Sequence, residues 1–327
     1  LGGVLQVAAQ IPALRRIGYT GKPVLDLKDP QVREMLRRIV PMTLGLGIYY
    51  VDMTLSRRFL SELGEGAQSY FFWASRLCDF PQGIFVMALS TAALPSLSTF
   101  AAKGQWDELG KTYAHGLRLA LFVALPASAM FVVLAEPVVV TLFQRGEFDA
   151  VAAHQTARAL VWQGGAIWTV AVVRQLVPVF HSMGDTRTPV IVSALDLAAF
   201  IGLALWLRHP MGHAGISVAV AGSSAVQMVL LFVGLRLRLK SLYANEILPS
   251  VLRTIASSAA GSLAGWIVAR AVLGAGVHRA LPGILGGAAF LVAFLVAAFV
   301  FRSPELHGIL GGLRRKLGRA RESTATP

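Results

Sequence analysis

The sequence predicts an all-α integral membrane protein, a polytopic helical bundle. Three observations carry that expectation. Apolar residues make up 55% of the 327 positions and charged residues only 14%, about half the charged share of a soluble domain. The mean hydropathy is +0.62. The apolar residues also gather into stretches of ~20 or more, the length a helix needs to cross a bilayer. Together these exclude a disordered chain, a disulfide scaffold and an ordinary soluble enzyme. The single cysteine, Cys78, excludes an internal disulfide and a cysteine metal cluster.

Taken in order, residues 1–11 are apolar but too short to span alone, and they read as the tail of a truncated transmembrane helix. The chain begins at Leu1 without a charged n-region or cleavage site. It therefore reads as a fragment whose N-terminus lies upstream. Residues 12–38 form a basic linker carrying Arg15, Arg16, Lys22, Lys28, Arg33, Arg37 and Arg38. Eight spans follow, at 39–59, 68–98, 116–142, 157–181, 187–207, 213–235, 249–274 and 280–302. The first six fall in 39–238, and the last two form a C-terminal pair within 239–302. Residues 101–118 read as an amphipathic helix lying on the membrane surface. Residues 303–327 are a basic tail.

The net charge of +13 would suggest nucleic acid in a soluble protein. Here the charge sits between the spans, around 12–38, around Arg236, Arg238, Lys240 and Arg253, and in the tail from Arg314 to Arg321. The positive-inside rule makes those segments cytoplasmic. Eight spans then bring the C-terminus back to the cytoplasm. Contact with anionic lipid heads accounts for the tail without a nucleic-acid partner.

Polar residues inside the spans are the candidates for function, because a charge at mid-membrane costs roughly 3 kcal/mol and calls for a cavity or a partner. Arg76 and Asp79 stand three apart and share a helix face. They are either an internal ion pair or an anion site in which Arg76 offers its planar fork to a phosphate. Pro81 just beyond should break the helix and open its backbone. Pro41, Pro95, Pro126 and Pro178 mark other kinks, of packing or of transport. Arg174 and Gln163, eleven positions apart in one run, would share a polar stripe. Snorkelling is the alternative for Arg174. Asp52 and Asp196 are candidates for a coupling cation or proton, or are structural carboxylates. Arg57 and Arg58 close the first span, as snorkelling residues or as an anion-attracting rim.

Other signals carry no chemistry. The histidines lie mostly in connections, and His209 and His213 flank a turn without acids to complete a metal site. There is no phosphate-binding loop and no nucleophile–base constellation. The sequence points to no enzyme and no cofactor. Gly261 and Gly265 are a small-xxx-small pair for close helix packing.

One stretch resembles a known family. Ala74-Ser75-Arg76-Leu77-Cys78-Asp79-Phe80-Pro81-Gln82-Gly83-Ile84-Phe85, with Ala88-Leu89-Ser90-Thr91 and Leu94-Pro95-Ser96-Leu97-Ser98, is similar to the signature of the MurJ/MviN lipid II flippases. Leu142-Phe143-Gln144-Arg145-Gly146-Glu147-Phe148 resembles that family's outer loop, and Gly184-Asp185-Thr186-Arg187-Thr188-Pro189 its cytoplasmic turn. Gly2-Gly3-Val4-Leu5-Gln6, with Gln10-Ile11-Pro12 and Leu14, resembles the end of its sixth span. The order and spacing of these motifs cover essentially the whole chain.

The resemblance implies a member of the multidrug/oligosaccharidyl-lipid/polysaccharide exporter superfamily, built as two six-helix lobes around a cavity. This chain would supply the second lobe and two extra C-terminal helices that shape a groove for a lipid tail. Its first lobe, absent here, would be its partner. The implied substrate is lipid II, the undecaprenyl-diphosphate-linked disaccharide-pentapeptide, moved from the inner to the outer leaflet of the bacterial cytoplasmic membrane. Arg76 matches an arginine of the family's eighth span, Asp79 an acid one turn on and Arg174 a basic position of the tenth. Ser75 replaces an aspartate of some members. The sodium-binding positions of some members fall on Phe200 and Ala204, which cannot ligate a cation. Asp196 lies one turn earlier, and Asp52 lies in the span that carries a sodium-ligating acid. Rival readings are a drug/cation antiporter, which Arg76 disfavours, a flippase for another polyprenyl-linked glycan, and a non-transporting membrane half-protein.

Overall fold

The computed structural model describes residues 2–18, 26, 28–239, 241, 243–276, 278–309 and 311. Lys22, Lys240 and the tail from Arg314 onward lie outside the described residues, as do the side chains of Arg37, Arg38 and Pro41. The chain forms two compact units, Leu1–Pro41 and Met42–Pro327. The first holds α1 (Gly2–Arg16) and the opening turns of α2 (Pro30–Ser61). Helix α1 runs to Arg16 with Pro12 inside it, past the boundary expected at residue 11.

The second unit contains the rest of α2 and the remaining helices. They are α3 (Ala67–Pro81), α4 (Met87–Ala102), α5 (Trp106–Val133), α6 (Ala135–Phe143), α7 (Ala150–Gly165), α8 (Ile167–Ser182), α9 (Arg187–Met211), α10 (His213–Arg238), α11 (Ala244–Gly274) and α12 (Leu281–Val300). Among the described residues, seven helical stretches are long and apolar enough to cross a membrane. Each matches one of the expected runs. The eighth, 39–59, lies on α2, where several side chains fall outside the described residues. In chain order, the five qualifying stretches from α3 to α10 are followed by the two helices α11 and α12.

Four expectations change in detail. The run 116–142 is broken at Leu134, which leaves helical geometry between the end of α5 at Val133 and the start of α6 at Ala135. The run 68–98 is not one helix. A single wide turn, Gln82–Val86, joins α3 to α4, and the Met87 amide reaches five residues back to the Gln82 carbonyl. Pro81 supplies the cause, since it has no N–H for the preceding turn. The run 157–181 is likewise divided, because Ala166 leaves helical geometry between α7 and α8. Finally, Trp106–Arg118 is no separate surface helix; it forms the first turns of the continuous α5.

Local chemistry sets the helix starts. Asp149 caps α7, its carboxylate accepting from the Ala152 amide at 2.8 Å. Asp185 does the same for α9, accepting from the amides of Arg187 at 3.1 Å and Thr188 at 3.0 Å and from the Thr188 hydroxyl at 2.7 Å. Pro282 opens the first turn of α12.

Packing inside a bilayer gains little from expelling water, so close fit and internal hydrogen bonds hold the helices together. One core gathers Leu109, Leu117, Leu176, Phe180, Leu231 and Leu235 from α5, α8 and α10. The pair α11–α12 packs backbone to backbone. A Cβ added at Gly265 would stand 2.9 Å from the Gly286 carbonyl, and one at Gly261 2.9 Å from the Phe290 carbonyl. The expected small-xxx-small contact is therefore the seam of this pair. Phe294 of α12 then meets Phe122 of α5 at 5.4 Å between ring centroids, docking the pair on the lobe.

Candidate functional site

Helix α3 has two unlike faces. Ala67, Ala74, Cys78 and Pro81 are buried at helical spacing, and α7 packs against this helix. Arg76 and Asp79 point the other way. Their ion pair is 3.5 Å from Nη1 to Oδ2, with side-chain exposures of 60% and 58%. That separation is long for a hydrogen bond. The Arg76 guanidinium also lies 4.8 Å from the centroid of the Phe72 ring. Arginine carries five N–H donors, and this arrangement leaves most of its fork facing away from the lobe.

Ser75, one position before Arg76, turns toward α7. Its hydroxyl donates to Gln163 Oε1 at 2.8 Å. The Gln163 amide nitrogen donates in turn to Ser217 Oγ at 3.0 Å and toward the Phe71 carbonyl at 3.5 Å. Gln163 is 7% exposed. It is a hydrogen-bonded junction of α3, α7 and α10, and its amide is consumed there. The polar stripe expected to join it to Arg174 is interrupted, because Ala166 separates their helices.

Arg174 lies on α8 beside the wide turn. Its Nη1 approaches the Gln82 carbonyl at 3.5 Å, and Ser90 Oγ donates to the Arg174 carbonyl at 2.8 Å. The adjacent Gln175, which the sequence reading passed over, donates from Nε2 to the Val86 carbonyl at 3.2 Å. Arg174 and Gln175 thus hold both ends of the turn that Pro81 opens. The Gln82 carbonyl thereby has a side-chain donor beside the Met87 amide. The clue in the sequence was the pair of long polar residues inside an apolar run.

Asp52 and Asp196 are brought together across α2 and α9. Each is half-buried, they are close enough for the charge of one to act on the other, and the Ser223 hydroxyl lies beside Asp196. One carboxylate oxygen of each is buried without a hydrogen-bond partner. Among the described residues no group of three metal-ligating side chains forms there or elsewhere. Phe200 and Ala204 are core residues, packed with Phe59, whose ring centroid is 6.3 Å from that of Phe200. At the end of α2, Arg58 pairs with Glu62 at 3.7 Å, and Glu62 also receives Arg208 of α9 at 2.8 Å.

This arrangement was compared with known proteins. Residues 1–287 match the family model for the lipid II flippase MurJ. The chain belongs to the MurJ lipid II flippase family. A lipid II flippase MurJ of Burkholderia cenocepacia is 31% identical over 243 residues, covering 73% of this chain and 47% of that relative. A probable lipid II flippase MurJ of Vibrio cholerae is 30% identical over 238 residues, covering 73% and 45%. The chain thus spans about half the length of the curated relatives it matches. A solved structure of lipid II flippase MurJ in an inward closed conformation superposes with a TM-score of 0.68 at 16% identity, over 87% of this chain and 58% of that one. An outward-facing multidrug transporter of the MATE family gives 0.54 at 16% identity. These structures fix the fold as that of the MurJ and MATE exporters. The spans and the family together make the chain a multi-pass protein of the bacterial inner membrane.

Proposed function

We propose that this chain is the second lobe and C-terminal helix pair of a flippase that carries lipid II from the inner to the outer leaflet. The observation that carries the reading is the Arg76 fork, held on a spanning helix and directed away from the lobe, with one local carboxylate contact at 3.5 Å among the described residues. A guanidinium in that position suits a diphosphate, whose oxygens match its paired donors. The first lobe supplies the facing wall and further cations. The headgroup enters from the cytoplasmic side and pairs with Arg76, while the prenyl tail remains in lipid along α11–α12. Rocking of the lobes then opens the outer mouth. No bond is made or broken, so the protein is a transporter and not an enzyme.

Arg174, with Gln175, shapes the opened turn next to Arg76, and Gln163 fixes the back of α3. Their part in substrate binding is to hold the helix that presents the arginine; Asp79 balances its charge between cycles. Asp52 and Asp196 form the coupling element of this reading. Two adjoining carboxylates with unpaired buried oxygens favour taking up a proton or a small cation. The basic connections and tail face the cytoplasm, as the positive-inside rule predicts.

The test uses the full-length protein in a bacterium depleted of its own lipid II flippase. Growth and outer-leaflet lipid II are scored at matched membrane abundance. Rescue by the native protein and failure of Arg76→Ala support the reading. Rescue by both would keep the activity and reduce Arg76 to a structural partner. Failure of well-folded native protein would point to another polyprenyl-linked glycan or to a non-transporting role.

A further inference from the structure

A second cationic site lies away from the Arg76 face. The junction of α5 and α6, the flank of α7 and the last turns of α11 enclose a cavity of about 410 Å³. Arg158 of α7 and Arg270 of α11 line it, together with Glu136, His154 and Trp266. Among the described residues neither arginine makes an ion pair. Arg158 Nη1 donates only to the Gln155 side chain at 3.2 Å, and the Arg270 guanidinium rests 5.0 Å from the Trp266 ring centroid. The one carboxylate in the lining, Glu136, is turned to His154 at 3.4 Å. The site therefore holds two fixed positive charges against one carboxylate.

The surroundings indicate what could occupy it. Val132, Trp266 and Leu273 line the same cavity and are 43%, 44% and 69% exposed. On a multi-span protein such residues face acyl chains. Indole rings settle at the depth of lipid headgroups, with arginines beside them. A guanidinium at that depth can match phosphate oxygens bidentately, and two line this cavity. A free inorganic anion would use the arginines but leave the apolar wall without a partner. A phosphate-headed lipid uses both.

We propose that the Arg158–Arg270 cavity is a binding site for the phosphate headgroup of an anionic lipid, seated between the lobe and the α11–α12 pair. The cavity lies at the end of the bundle opposite the 183–186 turn. By the expected orientation, that end faces the outer leaflet. The site does not depend on the flippase reading, since it uses neither Arg76 nor the first lobe.

The experiment titrates the purified full-length protein, in a maltoside detergent, with short-chain phosphatidylglycerol. Short-chain phosphatidylcholine and inorganic phosphate serve as comparison probes, and binding is read by native mass spectrometry. The double variant Arg158→Gln with Arg270→Gln is expected to bind phosphatidylglycerol at least about tenfold more weakly, the loss of roughly one charge-assisted contact or more. Arg145→Gln, in the loop after α6, should leave binding unchanged. Both cavity arginines are exposed, so the double variant should keep the native unfolding temperature. Equal binding by the double variant would overturn the site. Equal binding of phosphatidylcholine would reduce it to an unselective apolar pocket, and equal binding of inorganic phosphate would make it a free-anion site. Either result overturns the lipid assignment.

Discussion

Arg118 and Glu305 meet at 2.9 Å across 187 positions of sequence. The Glu305 side chain is 1% exposed and that of Arg118 18%. Ser303 donates to the second carboxylate oxygen at 2.9 Å, and Ser250 adds a further hydrogen bond. Arg118 also approaches Glu246 at 3.8 Å. One buried carboxylate thus ties α5 of the lobe to the start of α11 and to the segment after α12. The helix pair is clasped to the lobe at one end by charge and along its length by the phenylalanines.

Removing one member of this clasp should cost more than removing both. Arg118→Met leaves a buried carboxylate without its cation, a loss of about 3 kcal/mol. Arg118→Met combined with Glu305→Leu removes the charge entirely and should recover most of that loss. Thermal unfolding of the single and double variants in detergent measures the coupling. Additive effects would show that the two groups do not interact in solution.

The clasp also predicts an acid limit. Burial alone would raise the Glu305 carboxyl, but hydrogen bonds from Ser250, its own amide, Ser303 and Arg118 outweigh burial and hold it below the ordinary 4.5. Asp185 follows the same pattern. Burial is opposed by the Thr188 amide and hydroxyl, by Arg238 at 2.7 Å and by the Arg187 amide, and the net direction is below 3.8. A carboxylate lowered in the folded state contributes stability that is complete above its unfolded value and disappears as pH falls through its folded value. Unfolding temperature should therefore hold above pH 4.5 and fall progressively below it. Glu305→Gln and Asp185→Asn should each start lower and show a shallower fall.

The division between what the residues announced and what they concealed follows sequence distance. Span positions came from runs of apolar residues, which are local. The Arg76–Asp79 pair came from a three-residue spacing on one helix, and the α11–α12 seam from Gly261 and Gly265. Pro81 gave warning of the wide turn. The break at Ala166 was hidden because α7 and α8 are both apolar and no proline marks the join. Gly164-Gly165 was the available signal; the Gly164 backbone lies so close to Phe131 that a Cβ there would stand 2.6 Å from the Phe131 Cβ. Contacts such as Arg118 with Glu305, or Ser75 with Gln163, join residues that no local pattern connects. They depend on how helices choose their neighbours.

The α11–α12 seam gives a steric prediction. Gly265→Leu would drive a side chain into the Gly286 carbonyl, which is backbone and cannot rotate away. Overpacking of this kind costs about 1–3 kcal/mol. The expected result is a lower unfolding temperature, with weaker cross-linking between cysteines placed on facing positions of α11 and α12. Undiminished cross-linking would mean that the helices do not approach as closely as the structure has them.

Gln163 should behave as a structural junction. Gln163→Leu strips Ser75 and Ser217 of their shared partner while keeping the volume roughly constant. A cost of about 1–3 kcal/mol is expected for leaving buried polar groups unpaired. Ser75→Ala alone should cost less, because its loss frees one acceptor only. Unfolding temperature distinguishes the two. A transport defect in Gln163→Leu with no loss of stability would instead place this amide in contact with substrate.

Arg76 admits a sharper test than deletion. An exposed i,i+3 ion pair contributes only a few tenths of a kcal/mol, so Arg76→Ala should scarcely change stability while abolishing rescue. The exchange Arg76→Asp with Asp79→Arg restores the pair with its charges reversed along the helix. If the pair served packing, the exchange would restore everything that Arg76→Ala loses. If Arg76 receives a diphosphate, the exchange moves the guanidinium most of a turn along α3 and places a carboxylate where the phosphate oxygens should lie. Complementation should then fail although the protein unfolds at the native temperature. Arg76→Lys supplies the intermediate case. It keeps the charge and loses the fork, so it should retain weak rescue, reduced by roughly the 1.5–3 kcal/mol of a charge-assisted hydrogen bond. Growth equal to native in the exchanged protein would remove Arg76 from the transport pathway.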